Sequence, residues 1–267
     1  MNSLAVAFAD TTVIAKRNLI KIKRVPEILV FVLLSPIMFV LLFAFVFGNA
    51  IDIRGLNYRE FLIAGVFTQT VMFGATFTAA GLAEDMQKGI ISRFRALPMS
   101  RAAVLAGRTV SDIAYNLLSL VIMALTGLAV GWTIRTSFGE AIAGFALLLL
   151  FSYAISWVMA SIGLAVPSVE VVNNAVFMVL FPLTFLANTF VPSNDLPGGL
   201  REFAEWSPVS TVTQAVRELF GNVPANAPEP PSWALDHAIL YTLIWIAVII
   251  AIFAPLSVRQ YKRLQRA

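Results

Sequence analysis

The residues best suited to interaction chemistry lie in a charged link between two long apolar runs. This link, Glu84 to Arg101, reads EDMQKGIISRFRALPMSR. Its apolar residues recur at helical spacing between the charged ones: Met86, Ile90, Phe94 and Leu97. The pattern predicts a short amphipathic helix ended by Pro98. Such a helix is suited to docking into a groove of another protein, although a helix lying on a membrane surface shows the same pattern.

Residue types that usually carry catalysis are scarce in this chain. The sequence has no cysteine and one histidine, His237, which argues against thiolate sites, histidine-based metal sites and catalytic triads. It also has no G-x-x-x-x-G-K-[ST] run, the loop that cradles the phosphates of ATP. We therefore predict no catalytic residue, no metal site and no cofactor bound by this chain.

The composition indicates a membrane protein. Hydrophobic residues make up 59% and charged residues 13%, with a mean hydropathy of +0.83, whereas soluble domains carry about 25% charged residues. Six apolar runs reach the length of about 20 residues that a membrane-crossing helix needs. They are Ile28–Gly48, Phe61–Ala83, Ala103–Gly131, Ala141–Val166, Val171–Val191 and Leu235–Leu256. The predicted fold is therefore an all-α polytopic membrane protein with six transmembrane helices.

The distribution of lysine and arginine predicts the orientation of the spans. Of the 19 basic residues, fourteen fall in residues 1–27, in the region of the charged link, or in the tail 257–267, which all lie on one side. Because cytoplasmic segments carry this excess, both termini should be cytoplasmic in a multi-pass protein of the plasma (inner) membrane. Grouping of the basic residues between apolar runs also argues against a nucleic-acid-binding surface.

Residues 1–267 are predicted to form a single transmembrane domain with two helical segments outside the spans. Residues 1–27 suggest an amphipathic interfacial helix or, equally, a basic flank that only sets the topology. Spans one to five are assigned to residues 28–191 and span six to residues 235–256. Residues 192–234, between the last two spans, are predicted to lie on the extracytoplasmic side. Two short helices are expected there, Leu200–Trp206 and Val209–Phe220, either dipping into the outer leaflet or lying on its surface.

Polar residues within the spans suggest two further features. Arg108 and Asp112 are four residues apart on one helical face, which predicts a structural ion pair. Other polar and aromatic residues of the second and fifth spans are candidates for lining a substrate pathway: Gln69, Phe73, Thr76, Phe77, Asn173 and Asn188. The same residue types also join membrane helices through interhelical hydrogen bonds, and this alternative is favoured for each of them singly.

Three ordered stretches resemble one protein family. They are KIKRVPEILVFVLLSPIMFVLLFAFVFG near the start, GIISRFRALPMSRAAVLAGR from the charged link into the third span, and FPLTFLANTFVPSNDLPGGLREFAEWSPVSTVTQAVRELFG near the end. Together they resemble the permeases of ABC type-2 transporters, in particular the daunorubicin and doxorubicin resistance branch of multidrug exporters. The resemblance covers most of the chain.

This resemblance implies a membrane subunit that exports a hydrophobic small molecule, such as a drug, antibiotic or lipid. It implies a homodimer of permeases in membrane lipid and two separate P-loop ATPase subunits per complex, which bind ATP and Mg. It also assigns residues of the charged link to a coupling helix that contacts the ATPase, with Gly89 and Pro98 shaping the backbone. These coupling residues are Glu84, Gly89, Arg93, Arg95, Leu97, Pro98, Ser100 and Arg101.

Other functions remain open on the residues alone. The same superfamily includes exporters of polysaccharides and glycolipids, which the sequence does not separate from drug exporters. An ion-coupled secondary transporter or a channel should carry ionisable residues in mid-span and inverted repeats, and neither is evident. A membrane enzyme would need paired carboxylates or histidines near a membrane face, and these are also not evident.

Overall fold

The computed structural model describes most of the chain, and every regular element in the described part is helical. The described residues are 10–18, 20, 30, 34, 37–47, 58–91, 101–166, 168–223 and 232–264. An amino-terminal helix covers residues 10–18, and a short apolar helix covers Ile37–Val46. The helices that follow are α1 (Tyr58–Gly74), α2 (Thr76–Gln87), α3 (Arg101–Ala129), α4 (Phe138–Ala165), α5 (Val169–Leu186), α6 (Gly198–Trp206), α7 (Pro208–Phe220), α8 (Trp233–Asp236) and α9 (Ala238–Leu264).

Five stretches of the described chain are long and apolar enough to cross a membrane. They are Tyr58–Gln87, Val104–Ala129, Phe138–Ala165, Val169–Leu186 and Ala238–Arg263. They match predicted spans two to six, and the chain is a polytopic all-α membrane protein. The first predicted span, Ile28–Gly48, lies largely outside the described residues, and its described part is the short apolar helix Ile37–Val46.

Side-chain caps explain where several helices begin. Ser137 and Glu140 form a capping box at the start of α4, in which each side chain accepts from the other residue's backbone N–H. Ser207 caps α7, whose first residue is Pro208, the position at which a missing N–H costs nothing. Gly221 ends α7 with a φ of +70°, a backbone conformation that favours glycine.

Successive spans run in opposite directions and so give the bundle two distinct ends. The basic end holds the amino-terminal helix, the end of α2 and the start of α3. The short-helix end holds α6, α7 and α8. Helix α4 lies at the centre and packs against α2, α3, α7 and α9, and its residues Leu148 and Phe151 are fully buried in the hydrophobic core.

The two short helices predicted between the last spans are confirmed as α6 and α7, and α7 lies inside the bundle. The Thr213 hydroxyl donates to the Thr68 hydroxyl of α1 at 3.0 Å, and the Thr242 hydroxyl of α9 donates to the Thr211 hydroxyl at 3.3 Å. Thr68 is ten residues into α1, about 15 Å along its axis at the rise of an α-helix. Helix α7 therefore lies beside the spans, within the helical bundle.

The charged link begins differently from its prediction. Glu84 does not start a separate helix but lies in the last turn of α2, which ends at Gln87 and is followed by a turn at Lys88 and Gly89. The apolar residues of α2 continue the span, so no helix boundary falls at Glu84. Residues 92–100 lie outside the described residues, and the predicted coupling helix stays a prediction there.

Candidate functional site

A buried carboxylate joins three helices at the basic end. Asp85 of α2 accepts a hydrogen bond from Arg17 of the amino-terminal helix, with Nη2 and Oδ1 2.9 Å apart. Its other oxygen, Oδ2, lies 3.9 Å from Nη1 of Arg108 on α3. Asp85 is 7% exposed. Water and salt therefore screen these charge contacts less than they would at the protein surface. One carboxylate thus connects the amino-terminal helix, α2 and α3.

The Arg108 side chain crosses directly over the backbone of α2. Its Nη2 donates to the carbonyl oxygen of Phe77 at 2.9 Å. This approach requires Gly81, because a Cβ at that position would lie 1.3 Å from Nη2 of Arg108. A glycine in mid-helix therefore has a packing reason here, since it opens a groove for the guanidinium.

The predicted ion pair of Arg108 with Asp112 is corrected by this geometry. Asp112 is buried on α3 and accepts a hydrogen bond from the Thr78 hydroxyl of α2. Arg108 instead directs its guanidinium to Asp85 and to the Phe77 carbonyl. Arg108 contacts Asp85 because α2 packs against the same face of α3. The four-residue rule considers only partners on one helix.

A cavity of about 200 Å³ lies beside these charged groups. Its polar lining includes Asn18, Glu84, Arg108, Ser111 and Asp112. Apolar and aromatic residues complete the wall: Phe77, Ala80, Gly81, Tyr115 and Val169. The cavity therefore lies between the amino-terminal helix, α2, α3 and the start of α5, and it combines an apolar wall with buried charges.

Only part of the predicted coupling set is described. Glu84 accepts from Nζ of Lys88 at 2.6 Å, and this hydrogen bond raises the pKa of the Lys88 ammonium. Gly89 has a φ of +63° and open space around it, so it forms the turn that ends α2. Arg101 begins α3. The remaining coupling residues lie outside the described residues: Arg93, Arg95, Leu97, Pro98 and Ser100.

The predicted pathway residues of the second span are dispersed along it. Phe77 lines the cavity, and its ring lies 4.8 Å from that of Tyr115. Gln69 is buried within α1. Thr76 donates to the backbone carbonyl of Phe73 at 2.7 Å, where α1 passes into α2. Of these residues, only Phe77 contributes to the cavity.

The pathway residues of the fifth span lie at opposite ends of α5. Asn173 is exposed near its start. Asn188 is buried in the turn after α5, where its backbone N–H donates to the Ser210 hydroxyl of α7 at 2.9 Å. The structure does not bring the predicted pathway residues into one site, and their role stays a prediction.

A second buried charge occupies the short-helix end. Arg217 of α7 is 1% exposed. Its Nε and Nη2 donate to the carbonyl oxygen of Phe61 at 3.2 and 3.1 Å, and Nη2 also donates to that of Thr189 at 3.2 Å. The guanidinium carbon lies 3.5 Å from the centre of the Phe61 ring.

Sequence reasoning missed Asp85, Gly81 and the burial of Arg217. A signal for the first two exists, because Thr78, Gly81 and Asp85 share one face of α2 at spacings of three and four residues. This small and polar face meets the Arg108 and Asp112 face of α3. No comparable local signal marks Arg217, which resembles an ordinary basic residue of a short polar helix.

Comparisons with known proteins agree with this architecture. Residues 9–220 match the model of the ABC-2 type transporter family. The chain is 29% identical over 258 residues to a daunorubicin resistance ABC transporter permease protein of Streptomyces coeruleorubidus, which covers 97% of this chain and 88% of the relative. It is 24% identical over 225 residues to a doxorubicin resistance ABC transporter permease protein of Mycobacterium tuberculosis, covering 84% and 78%. It is 24% identical over 214 residues to the transport permease ycf38 of Cyanophora paradoxa, covering 79% and 73%.

These matches confirm the resemblance stated from the three sequence stretches. The matched range contains the charged groups of the basic end as well as α7. Permeases of this kind are transport components that leave ATP hydrolysis to another chain, in agreement with the absence of a P-loop run from the sequence. The chain belongs to the ABC-2 type transporter family.

Proposed function

We propose that this chain, as the membrane subunit of an ABC exporter, moves a hydrophobic or amphipathic compound such as a drug, antibiotic or lipid. The observation that carries the proposal is the cavity at the basic end, where an apolar wall surrounds buried charged groups. Such a lining suits a ligand with an apolar body and a few polar groups. The names of two relatives, which refer to daunorubicin and doxorubicin resistance, support the same class of cargo.

The proposed partners are two P-loop ATPase subunits, which bind ATP and Mg and contact the basic end. This orientation puts both termini in the cytoplasm. It is supported by the excess of basic residues in the segments at this end, since cytoplasmic segments carry such an excess. The charged link joins α2 to α3, so a partner that binds the link can move both helices.

Movement would pass from the ATPase to the cavity through α2 and α3. Asp85 connects α2 with α3 and with the amino-terminal helix. A displacement of the charged link would therefore move these three helices together. The cavity lies between the same elements. Closing of the ATPase pair would therefore change the shape of the cavity and shift the complex between inward-facing and outward-facing states.

Replacing Glu84 and Arg95 by alanine is expected to uncouple transport from ATP hydrolysis. The double variant would remove two charged groups from the proposed ATPase contact. We expect export from proteoliposomes, and the ATPase stimulation that accompanies it, to fall at least about tenfold, as for the loss of a charged contact of about 1.4 kcal/mol. The assay uses the tagged chain together with the P-loop ATPase that copurifies with it.

A matched control for this variant is Glu202→Ala, which removes an exposed carboxylate from α6 at the other end of the bundle. It should export at the normal rate. Normal export by the Glu84→Ala and Arg95→Ala double variant would refute the coupling role, and failure to recover any P-loop ATPase with the tagged chain would refute the exporter assignment.

A second copy of the chain is proposed to cover the exposed face of α5. Both α5, which is 22% buried, and α9, which is 17% buried, are largely exposed, and Met178 on α5 is 74% exposed. Asn174, one turn before Met178, is also exposed. Amide side chains in a membrane helix favour interhelical hydrogen bonds, and the exposed side of α9 is mainly apolar and offers no comparable group in mid-span. These features support a homodimer with α5 at the contact.

A cysteine at position 178 is expected to cross-link two copies of the chain. Because the sequence has no cysteine, Met178→Cys carries the only thiol, and copper phenanthroline treatment of membranes should convert most of the protein to a disulfide-linked dimer. The matched control is Ile252→Cys on α9, which is 54% exposed and should remain a monomer. Equal cross-linking at the two positions would argue against the α5 contact.

A further inference from the structure

We propose that the end of α9 binds the headgroup of an anionic phospholipid through Arg259, Lys262 and Arg263. The inference concerns the lipid around the permease and does not depend on the compound that the permease exports. It depends on α9 as a membrane-spanning helix, which its length and apolar composition support.

The first step is the unbalanced charge of this helix end. Arg259, Lys262 and Arg263 are exposed in the last turns of α9, and residues 238–267 contain no aspartate or glutamate. Within the described part of the chain, none of the three side chains belongs to an ion pair. The basic residues that do pair, such as Lys88 with Glu84, lie on other helices. The charges of α9 can therefore attract an external anion.

The second step is the position of these charges along the span. Arg259 follows three residues after Leu256 and so extends a row of exposed aliphatic side chains. Leu240 and Arg259 lie about 28 Å apart along the axis at the rise of an α-helix, close to the roughly 30 Å of a hydrocarbon core. The basic residues therefore begin where the acyl chains end. The row follows α9 at four-residue steps and consists of Leu240, Ile244, Val248, Ile252 and Leu256.

Aromatic rings near the start of α9 mark the opposite boundary of the membrane. The ring of Tyr241 lies 6.0 Å from that of Trp233 and 6.3 Å from that of Trp245. Tryptophan and tyrosine are enriched at membrane interfaces, where their amphipathic rings lie at the level of the headgroups. With these rings at one interface, the basic residues of α9 lie at the other, at the level of the lipid phosphates.

The third step is the fixed position of the basic turns. Tyr261, which lies among the basic residues, is fully buried in one cluster with Leu82 of α2 and Leu105 of α3. One turn earlier, the Ser257 hydroxyl donates to the carbonyl oxygen of Trp157 on α4 at 3.1 Å. These contacts hold the end of α9 on the bundle. A headgroup would therefore bind side chains on an ordered helix, which lowers the entropy cost of binding.

A lipid fits this surface better than an acidic protein does. The basic residues continue a row of aliphatic side chains, and a phospholipid presents an acyl chain followed by a phosphate in the same order. Basic residues next to a membrane span attract anionic lipids, whereas the headgroup of phosphatidylcholine carries a cation of its own. We therefore expect phosphatidylglycerol to be preferred over phosphatidylcholine at this position.

The test uses a fluorescent reporter next to the proposed site. Because the sequence has no cysteine, the thiol of Leu256→Cys in the full chain can be labelled with bimane, which brominated lipids quench in phosphatidylcholine vesicles. We expect brominated phosphatidylglycerol to associate here at least about tenfold more strongly than brominated phosphatidylcholine, as for two or three basic residues at a membrane surface. Added salt should weaken this preference.

The matched reporter is Leu240→Cys, which is exposed on the same helix at the opposite boundary. Basic residues of the helix end lie too far from it to bind a lipid that quenches it. The two brominated lipids should therefore quench this reporter equally. A preference for phosphatidylglycerol of the same size at both reporters would contradict a site at the end of α9.

Two double variants separate the charge from the structure of the helix end. Arg259→Gln with Arg263→Gln should remove most of the preference at the Leu256→Cys reporter, and Lys262 remains to orient the helix. Arg259→Lys with Arg263→Lys keeps both charges and should keep most of the preference. An unchanged preference in the glutamine variant would overturn the proposal. Loss of the copurifying P-loop ATPase from that same variant would then assign the surface to the ATPase instead.

Discussion

Replacing Arg217 by alanine is expected to release α7 from the bundle. The change removes three hydrogen bonds to the Phe61 and Thr189 carbonyls and the contact with the Phe61 ring. It also leaves a cavity where a fully buried side chain stood. We expect the free energy of unfolding in detergent to fall by about 3 kcal/mol or more, as for other large buried side chains cut to alanine.

Cysteine labelling reports on the position of α7 in this variant. Val212 is fully buried on α7, so a Val212→Cys reporter should react with a membrane-impermeant maleimide only when Arg217 is alanine. Leu200→Cys on α6, which is 43% exposed, should react in both backgrounds. An unlabelled Val212→Cys reporter and an unchanged melting temperature would contradict the role assigned to Arg217.

A second substitution separates the charge of Arg217 from its volume. Arg217→Met keeps most of the packing but removes every donor, including Nη1, which has no hydrogen-bond partner among the described residues. Replacing a buried charge by an apolar group of similar size is often neutral in stability. We therefore expect Arg217→Met to unfold close to the normal temperature, and a loss as large as that of Arg217→Ala would show that the hydrogen bonds dominate.

Replacing Gly65 by alanine is the second substitution that we expect to lower the stability of the fold strongly. A Cβ at this position of α1 would lie 2.0 Å from the carbonyl oxygen of Thr189 and 2.7 Å from its carbonyl carbon. Backbone atoms cannot turn aside as the end of a side chain can, so α1 and the turn after α5 would have to separate. Overpacking of this kind typically costs about 1–3 kcal/mol and occasionally more, and we expect the upper part of that range.

The control for this substitution is Gly139→Ala near the start of α4. A Cβ there meets nothing within 4 Å, and alanine is favoured over glycine in a helix by about 1 kcal/mol. Gly139→Ala should therefore melt at the normal temperature or above it, while Gly65→Ala should give little folded protein in size-exclusion chromatography. Equal yields of the two variants would contradict the close approach at Gly65.

The spans and the short helices were predictable because their signals are local. A run of about 20 apolar residues is itself the physical requirement for crossing a bilayer. Likewise, Ser207 and Pro208 separate α6 from α7 through their own backbone preferences and need no distant partner. Among the described residues, the structure confirms spans two to six and the two short helices.

The contacts of the charged residues were not predictable from local rules. For Arg108, the four-residue rule selected Asp112, but the guanidinium turns to Asp85, 23 positions away in the sequence. Arg217 depends on the carbonyl of Phe61, 156 positions away, and on that of Thr189. Charged groups in a membrane bundle bind the groups that the packing of other helices brings near them. Sequence spacing can mark a small and polar face, as on α2, but it does not tell which face of another helix that face meets.

The position of α7 has a mechanical consequence for the bundle. Its side chains are bonded to α1 through Thr68, to α9 through Thr242 and to the turn after α5 through Asn188. These helices cannot separate at the short-helix end without breaking those bonds, whereas the basic end contains a cavity. We therefore expect the short-helix end of the bundle to act as a pivot. Helix displacements should then grow with distance from α7 and become largest around Asp85 and Asp112.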